Sequence, residues 1–196
     1  MKLYGDDIVV VCDQTAGLFH GNGYGIGKKY IFIGRFVKGS LWGDVILFDK
    51  TTGDKLFKIE MEESAAHGRY EFYESGTLVE KGMYEHGNKY FHTKFQNNEV
   101  YEYGWSKNDK LNGFGATTDK DGFVYTSPHW VHGVINGLGC IQDKNKDIVF
   151  YGTFKQNIPL VESNEKHPTL TDKWERAEND KYMVLPVECV EKILKS

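Results

Sequence analysis

Leu111-Asn-Gly-Phe-Gly115 and Ile135-Asn-Gly-Leu-Gly139 superpose residue for residue at a shift of 24. The opening glycine of this phrase, or its stand-in, recurs as Gly21, Gly43, Gly68, Asn88, Gly113 and Gly137, at intervals of 22, 25, 20, 25 and 24 residues. A period in this range is the signature of a repeat architecture, and six repeats follow. A second series keeps step with the first: Phe32-x-Gly34-x-Phe36, Gly82-x-Tyr84, Gly104-Trp105, Trp130 and Phe150-x-Gly152-x-Phe154.

Strand geometry explains the phrase. Residues i, i+2 and i+4 of a strand share one face, so Phe150, Gly152 and Phe154 line up, as do Phe32, Gly34 and Phe36. A glycine between two aromatics leaves a notch in which a ring can lie against the backbone. One hairpin alone is marginal in water, so the hairpins must stack to bury these rings.

Turn chemistry agrees. Thr51-Thr-Gly-Asp54, Glu74-Ser-Gly-Thr77, Asp119-Lys-Asp-Gly122 and Asp143-Lys-Asn-Lys-Asp147 each separate two apolar runs. Gly, Asn and Asp tolerate the left-handed backbone of tight turns. The predicted sheet has roughly twelve short strands, two per repeat, with Ile8-Val-Val-Val-Cys12 as a further strand that starts it. His20 and His67 fill the slot before the opening glycine that Asn112 and Asn136 fill later, which points to a side chain bonding the turn backbone. The run Gly21-Asn-Gly-Tyr-Gly-Ile-Gly27 is no phosphate loop, because a β-branched and aromatic strand follows it; its glycines are read as turn residues.

The phrase resembles the MORN repeat, whose pattern runs tyrosine-x-glycine-x-aromatic, a polar turn, then glycine-x-glycine. The last two copies, Gly113 to Trp130 and Gly137 to Phe154, look like the standard form. His67 to Gly87 looks more like the bacterial variant of antitoxin-like proteins, and the resemblance covers about two thirds of the chain. Val45, Tyr70 and Tyr90 stand where the second glycine of the pair would be. The resemblance implies an all-β, elongated antiparallel sheet of stacked hairpins. The family is a scaffold for unrelated activities, so it implies no single function.

Composition bounds the rest. At 196 residues with 14% aromatic content, the chain holds enough large side chains for a core. Two segments are expected: a repeat domain over residues 1–157, and a linker with a helical cap over 158–196. Cys12, Cys140 and Cys189 are odd in number and widely spaced, and the start lacks an apolar leader, which suggests a reducing cytoplasm. A net charge of −4 argues against nucleic acid. Lys28, Lys29, Arg35 and Lys38 are a candidate basic spot for an anionic lipid or an acidic partner, though the favoured reading is a solvated turn at Lys28-Lys29 with Arg35 and Lys38 snorkelling at a sheet edge.

After Ile158 the glycines vanish. Residues 171–180 have a threonine N-cap and early acids, and in residues 185–195 Cys189, Val190, Ile193 and Leu194 form an apolar face at helical spacing. That helix either caps the last hairpin or docks a partner.

Ser127-Pro-His-Trp-Val-His132 is the densest candidate for catalysis, but i and i+3 face opposite sides of a strand, so His129 and His132 converge only if a turn intervenes. No metal motif occurs and no cofactor is expected. Tyr101, Tyr103 and Trp105 share a strand face opposite Glu102 and form either a binding stripe or, as recurring aromatics usually do, stacked core. With Trp130 and His132 they complete the candidate binding residues. The favoured reading is a non-enzymatic module that docks onto or inhibits a partner protein. A lipid-binding scaffold or adaptor and a small hydrolase or nuclease are the alternatives, and two open sheet ends make a homodimer plausible.

Overall fold

The computed structural model describes residues 8–160, which form fifteen β-strands and no helix. In chain order these are β1 (Val9–Thr15), β2 (Leu18–Ile26), β3 (Tyr30–Val37), β4 (Ser40–Asp49), β5 (Lys55–Glu62), β6 (Ala65–Glu74) and β7 (Thr77–Glu85). There follow β8 (Asn88–Gln96), β9 (Glu99–Lys107), β10 (Lys110–Thr118), β11 (Val124–Val131), β12 (Val134–Ile135), β13 (Gly137–Gln142), β14 (Ile148–Lys155) and β15 (Ile158–Pro159). The chain divides into two lobes, Met1–Tyr90 and Phe91–Ser196, with the division inside β8. In each lobe the strands pair antiparallel with their neighbours in the chain, and the short β12 pairs with β11.

The fold is the expected all-β array of hairpins, with fifteen strands in place of roughly twelve. β1 starts it as expected. β15 continues the pairing past the expected boundary at residue 157, through Phe154 with Pro159 and Lys155 with Ile158. The expected helical cap, with Val190, Ile193 and Leu194, lies outside the described residues.

Five of the six repeat anchors have a left-handed backbone: Gly21, Gly43, Gly68, Gly113 and Gly137, with φ from 72° to 124°. Each sits in a strand near a register irregularity or tight turn, where an L side chain would be strained. Asn88 is the exception and opens β8 directly after the Gly87 turn.

The anchors coincide with a repeated fastening. In five two-residue turns the second residue donates its amide to a carbonyl one hairpin back: Gly39 to Phe19 (2.9 Å), Ser64 to Leu41 (3.0 Å), Gly87 to Ala66 (2.8 Å), Gly133 to Leu111 (2.8 Å) and Asn157 to Ile135 (3.1 Å). The slot residue just after that carbonyl takes the amide of the first turn residue. His67 Nδ1 accepts from His86 (3.5 Å), Asn112 Oδ1 from His132 (3.4 Å) and Asn136 Oδ1 from Gln156 (3.0 Å). The His-or-Asn slot therefore bonds a turn backbone, that of the next hairpin. The longer turns are closed by aspartates: Asp49 accepts from Thr51 and Thr52, Asp119 from Asp121 and Phe123, and Asp143 from Asn145 and Asp147.

One face of each lobe carries its core. In the first lobe Phe32, Phe36, Leu41, Val45, Ile59, Met61 and Tyr70 are buried together; in the second, Leu111, Tyr125, Trp130, Ile135, Ile141, Phe150 and Phe154. The glycine notches are occupied. A Cβ on Gly34 would lie 3.0 Å from both Leu41 and Val45, one on Gly139 2.7 Å from the Phe154 ring, and one on Gly152 2.8 Å from Phe150. Phe150 and Phe154 meet edge to face at 5.2 Å.

Gly23 and Gly25 are a correction. They lie inside β2 rather than in a turn, opposite Cys12 and Val10 of β1 and Gly34 and Phe32 of β3. A Cβ on Gly23 would lie 2.6 Å from Cys12 Cβ, so the core face of β2 is kept bare for its neighbours. Strand alternation then sends Tyr24 and Ile26 to the other face.

Candidate functional site

The Ser127–His132 segment is built for structure. Ser127 is fully buried, donating its hydroxyl to Leu138 O at 2.6 Å and accepting from His129 N at 2.8 Å. These bonds hold the irregularity that re-registers β11 between Ser127 and Trp130. Trp130, a candidate binding residue, is a core residue: it is 2% exposed and its indole N–H donates to Gly115 O at 2.7 Å. His129 is exposed with its ring against Gly137, and His132 is an exposed turn residue with φ 52°. A turn does intervene at His132-Gly133, where it carries the hairpin fastening, and the serine's proton is directed at Leu138 O rather than at either histidine ring.

The four basic residues are not brought together. Lys28 and Lys29 lie in the turn before β3, Lys38 in the turn after it, and Arg35 near its far end. Eight strand residues separate the two turns, roughly 26 Å at about 3.3 Å per residue.

Tyr103 and Trp105 lie on the face opposite Glu102 and Gly104, and Trp105 is 55% exposed. The cause is one residue. β8 and β9 pair as Gln96 with Glu99 and Phe95 with Val100, then as Lys94 with Glu102, so Tyr101 is the extra residue of a bulge. Without that slip Tyr101 would face Lys94 and the aromatics would share the side of His92. With it, Glu102 turns inward and the stripe turns away from the core, against the expectation of stacked core.

What Glu102 meets was not foreseen. Its Oε1 lies 2.5 Å from Lys94 Nζ and 2.9 Å from Nε2 of the fully buried His92, which sits off the line of a good hydrogen bond. Burial alone raises the Glu102 pKa, but the contacts and charges of His92 and Lys94 outweigh it and hold the carboxyl below its ordinary value. In the first lobe Glu80 does similar work, accepting from the Tyr70 hydroxyl and pairing with Lys89 at 2.6 Å. In both clusters the carboxylate is paired with a lysine, while His92 Nδ1 and Nε2 are buried without a hydrogen-bond partner. Among the described residues, no group of three or more His, Cys, Asp or Glu is placed to hold a metal ion.

The open surface is the outer face of the first lobe. Val11, Tyr24, Ile33 and Ile46 pair in a row across β1 to β4, and Val9, Ile26, Ile31 and Phe48 form the row beside it. Directly paired residues share a face, so eight apolar side chains make a four-by-two grid. Val9 is 64% exposed, Ile33 50%, Val11 46% and Tyr24 41%. Strand spacings of about 4.8 Å and residue spacings of about 6.8 Å give a contiguous apolar patch on the order of 250 Å², no larger than monomeric proteins commonly expose. The first row continues on β5 to β7 as Lys58, Glu71 and Lys81, a charged rim. The sequence signal for this grid was the alternation Tyr24-Gly25-Ile26, once its glycines are placed within a strand.

No protein-family model matches the chain, and no curated protein matches it. Among the described residues no helix is long and apolar enough to cross a membrane.

Proposed function

We propose that this protein is a non-enzymatic binding module that docks onto a partner protein and thereby holds or inhibits it, through the outer face of β1 to β4. The observation that carries this reading is the exposed grid around Tyr24 and Ile33 with its charged border on β5 to β7. An apolar centre with a polar rim is the anatomy of a protein interface. Aromatic and β-branched side chains on paired strands are held rigidly, so little side-chain entropy is lost on docking.

Less supports the lipid-adaptor reading, whose basic residues are spread along the length of β3, and the hydrolase reading on His129 and His132, beside which the Ser127 hydroxyl is bonded to Leu138 O. The test is affinity capture from the native host with the wild-type chain and with the Tyr24→Lys/Ile33→Lys variant, followed by sizing. Both side chains are at least 41% exposed, so the variant is expected to fold. A partner retained by the wild type and lost by the variant supports the reading. The same partner retained equally by both overturns it.

A further inference from the structure

The outer face of the second lobe is not open like that of the first. Tyr103, Ala116, Thr126, Cys140 and Tyr151 pair in a row across β9, β10, β11, β13 and β14. The row lies opposite the core, because Tyr125 and Ile141 of the core are its neighbours along β11 and β13. Ala116, Thr126 and Cys140 nevertheless have no exposure, and Gln142, on the same face of β13, has 1%. Pairing within a sheet does not bury side chains this far. In the first lobe Tyr24 and Ile33 have large row neighbours on both sides and stay 41% and 50% exposed. Taller neighbours do not shade Thr126 either, since its partners in the row are an alanine and a cysteine. Thr126 Oγ1 and Gln142 Oε1 are shut from water with no hydrogen-bond partner among the described residues. The described residues of this lobe are the strands of one layer and the turns that join them, so the cover comes from elsewhere.

We infer that the cover is the chain's own C-terminal segment, residues 161–196, laid on the outer face of β10, β11 and β13 with the apolar side of residues 185–195 against Ala116, Thr126 and Cys140. The described chain ends beside this face. The Leu160 amide donates to Thr153 O at 2.7 Å, and Thr153 is paired with Leu138 in the outer row next to that of Cys140. Ala116 is three strands from β14, about 14 Å at 4.8 Å per strand, and residues 161–184 extended at about 3.3 Å each reach several times as far. The shapes match as well. The three short side chains make a floor between Tyr103 and Tyr151, and a helix about 10 Å across lies on such a floor. Cys189, Val190, Ile193 and Leu194 fall on one side of a helix, with Glu188 and Lys192 on the other, so the apolar side meets the floor and the charges stay in water. A helix that only capped the last hairpin would leave Ala116 open.

Cys140 gives the readout. In the full chain carrying Cys12→Ser and Cys189→Ser it is the one remaining thiol, and its rate of reaction with dithionitrobenzoate reports whether the face is covered. The rate is expected to be at least a hundredfold below that of the same chain unfolded in guanidinium. Val190→Lys/Ile193→Lys should raise it at least tenfold with the far-UV strand signal intact, and Glu188→Ala/Lys192→Ala, on the other side, should leave it within twofold. If the lysine variant loses the strand signal, the milder Val190→Ser decides, with a rise of at least threefold expected. An unchanged rate in a folded Val190 variant overturns the inference, as does an equal rise in Glu188→Ala/Lys192→Ala. A parent rate that rises on dilution also overturns it, and gives the face to a second copy.

Discussion

Replacing Gly115 and Leu111 by alanine, singly and together, tests whether side chains laid over glycines hold the second lobe. Leu111 is 1% exposed, and a Cβ on Gly115 would sit 2.8 Å from its Cδ2 and 3.2 Å from Tyr103 O. Leu111→Ala removes three buried carbons at about 0.8 kcal/mol each and leaves a cavity, for a loss of roughly 3–4 kcal/mol. Gly115→Ala overpacks the site by one methyl and costs about 1–3 kcal/mol, most of it in displacing Leu111. The atom that the new methyl strikes is absent when Leu111 is already alanine. The double variant is therefore expected to lose about 1–2 kcal/mol less than the sum of the singles, with the Tyr103 carbonyl setting the remainder. The assay is urea unfolding followed by far-UV circular dichroism and by tryptophan fluorescence, for which Trp130, bonded to Gly115 O, is a local reporter. Additivity within about 0.5 kcal/mol would refute the stacking argument.

Acid is expected to weaken the second lobe through Glu102. Its folded pKa is depressed, so its stabilisation is present above the ordinary value of 4.5 and lost as pH falls through the lower folded value; the gap in urea midpoint between wild type and Glu102→Gln should close over that descent, and a pH-independent gap would contradict it. Asn136→Ala removes the acceptor for the Gln156 amide and should cost roughly 1 kcal/mol with faster hydrogen exchange at that amide, whereas unchanged exchange would deny the slot its role. Burial, aided by the charge of Asp119, pushes the Tyr125 phenol up to about 12. Ultraviolet titration of Tyr125→Phe should therefore lose one late-ionising tyrosinate, and a loss from the transition near pH 10 would count against it.

The repeat was legible because its punctuation is local. Glycine at φ near 100°, aspartates closing turns and His or Asn in one slot depend on a few neighbouring residues, and these the sequence displays. What escaped depends on counting across a turn. The slip at Tyr101 changes the register by one residue, and that single step decides both that Trp105 is exposed and that Glu102 meets His92. Trp130 read as a binding residue because aromatic side chains look alike in sequence; only the irregularity after Ser127 shows it folded over Gly115. The basic residues around β3 were close in number but separated by the length of a strand. The exposed apolar grid was hidden by glycines that looked like turn formers and instead clear space for Phe32 and Cys12.

The hairpin fastenings make the two rims of each lobe unequal in what they tolerate. Turns 16–17, 38–39, 63–64, 86–87, 108–109, 132–133 and 156–157 all have two residues, and five of them are bonded one hairpin back. The connections on the other rim vary, from two residues at 75–76 and 97–98 to five at 50–54, 119–123 and 143–147. Length variation between copies has accumulated on that rim alone. Foreign loops, affinity tags or whole domains grafted between Thr51 and Thr52 or between Lys144 and Asn145 should leave the fold intact, since loop closure costs rise slowly with length. The same insertion between His132 and Gly133 would pull apart two hairpins at once.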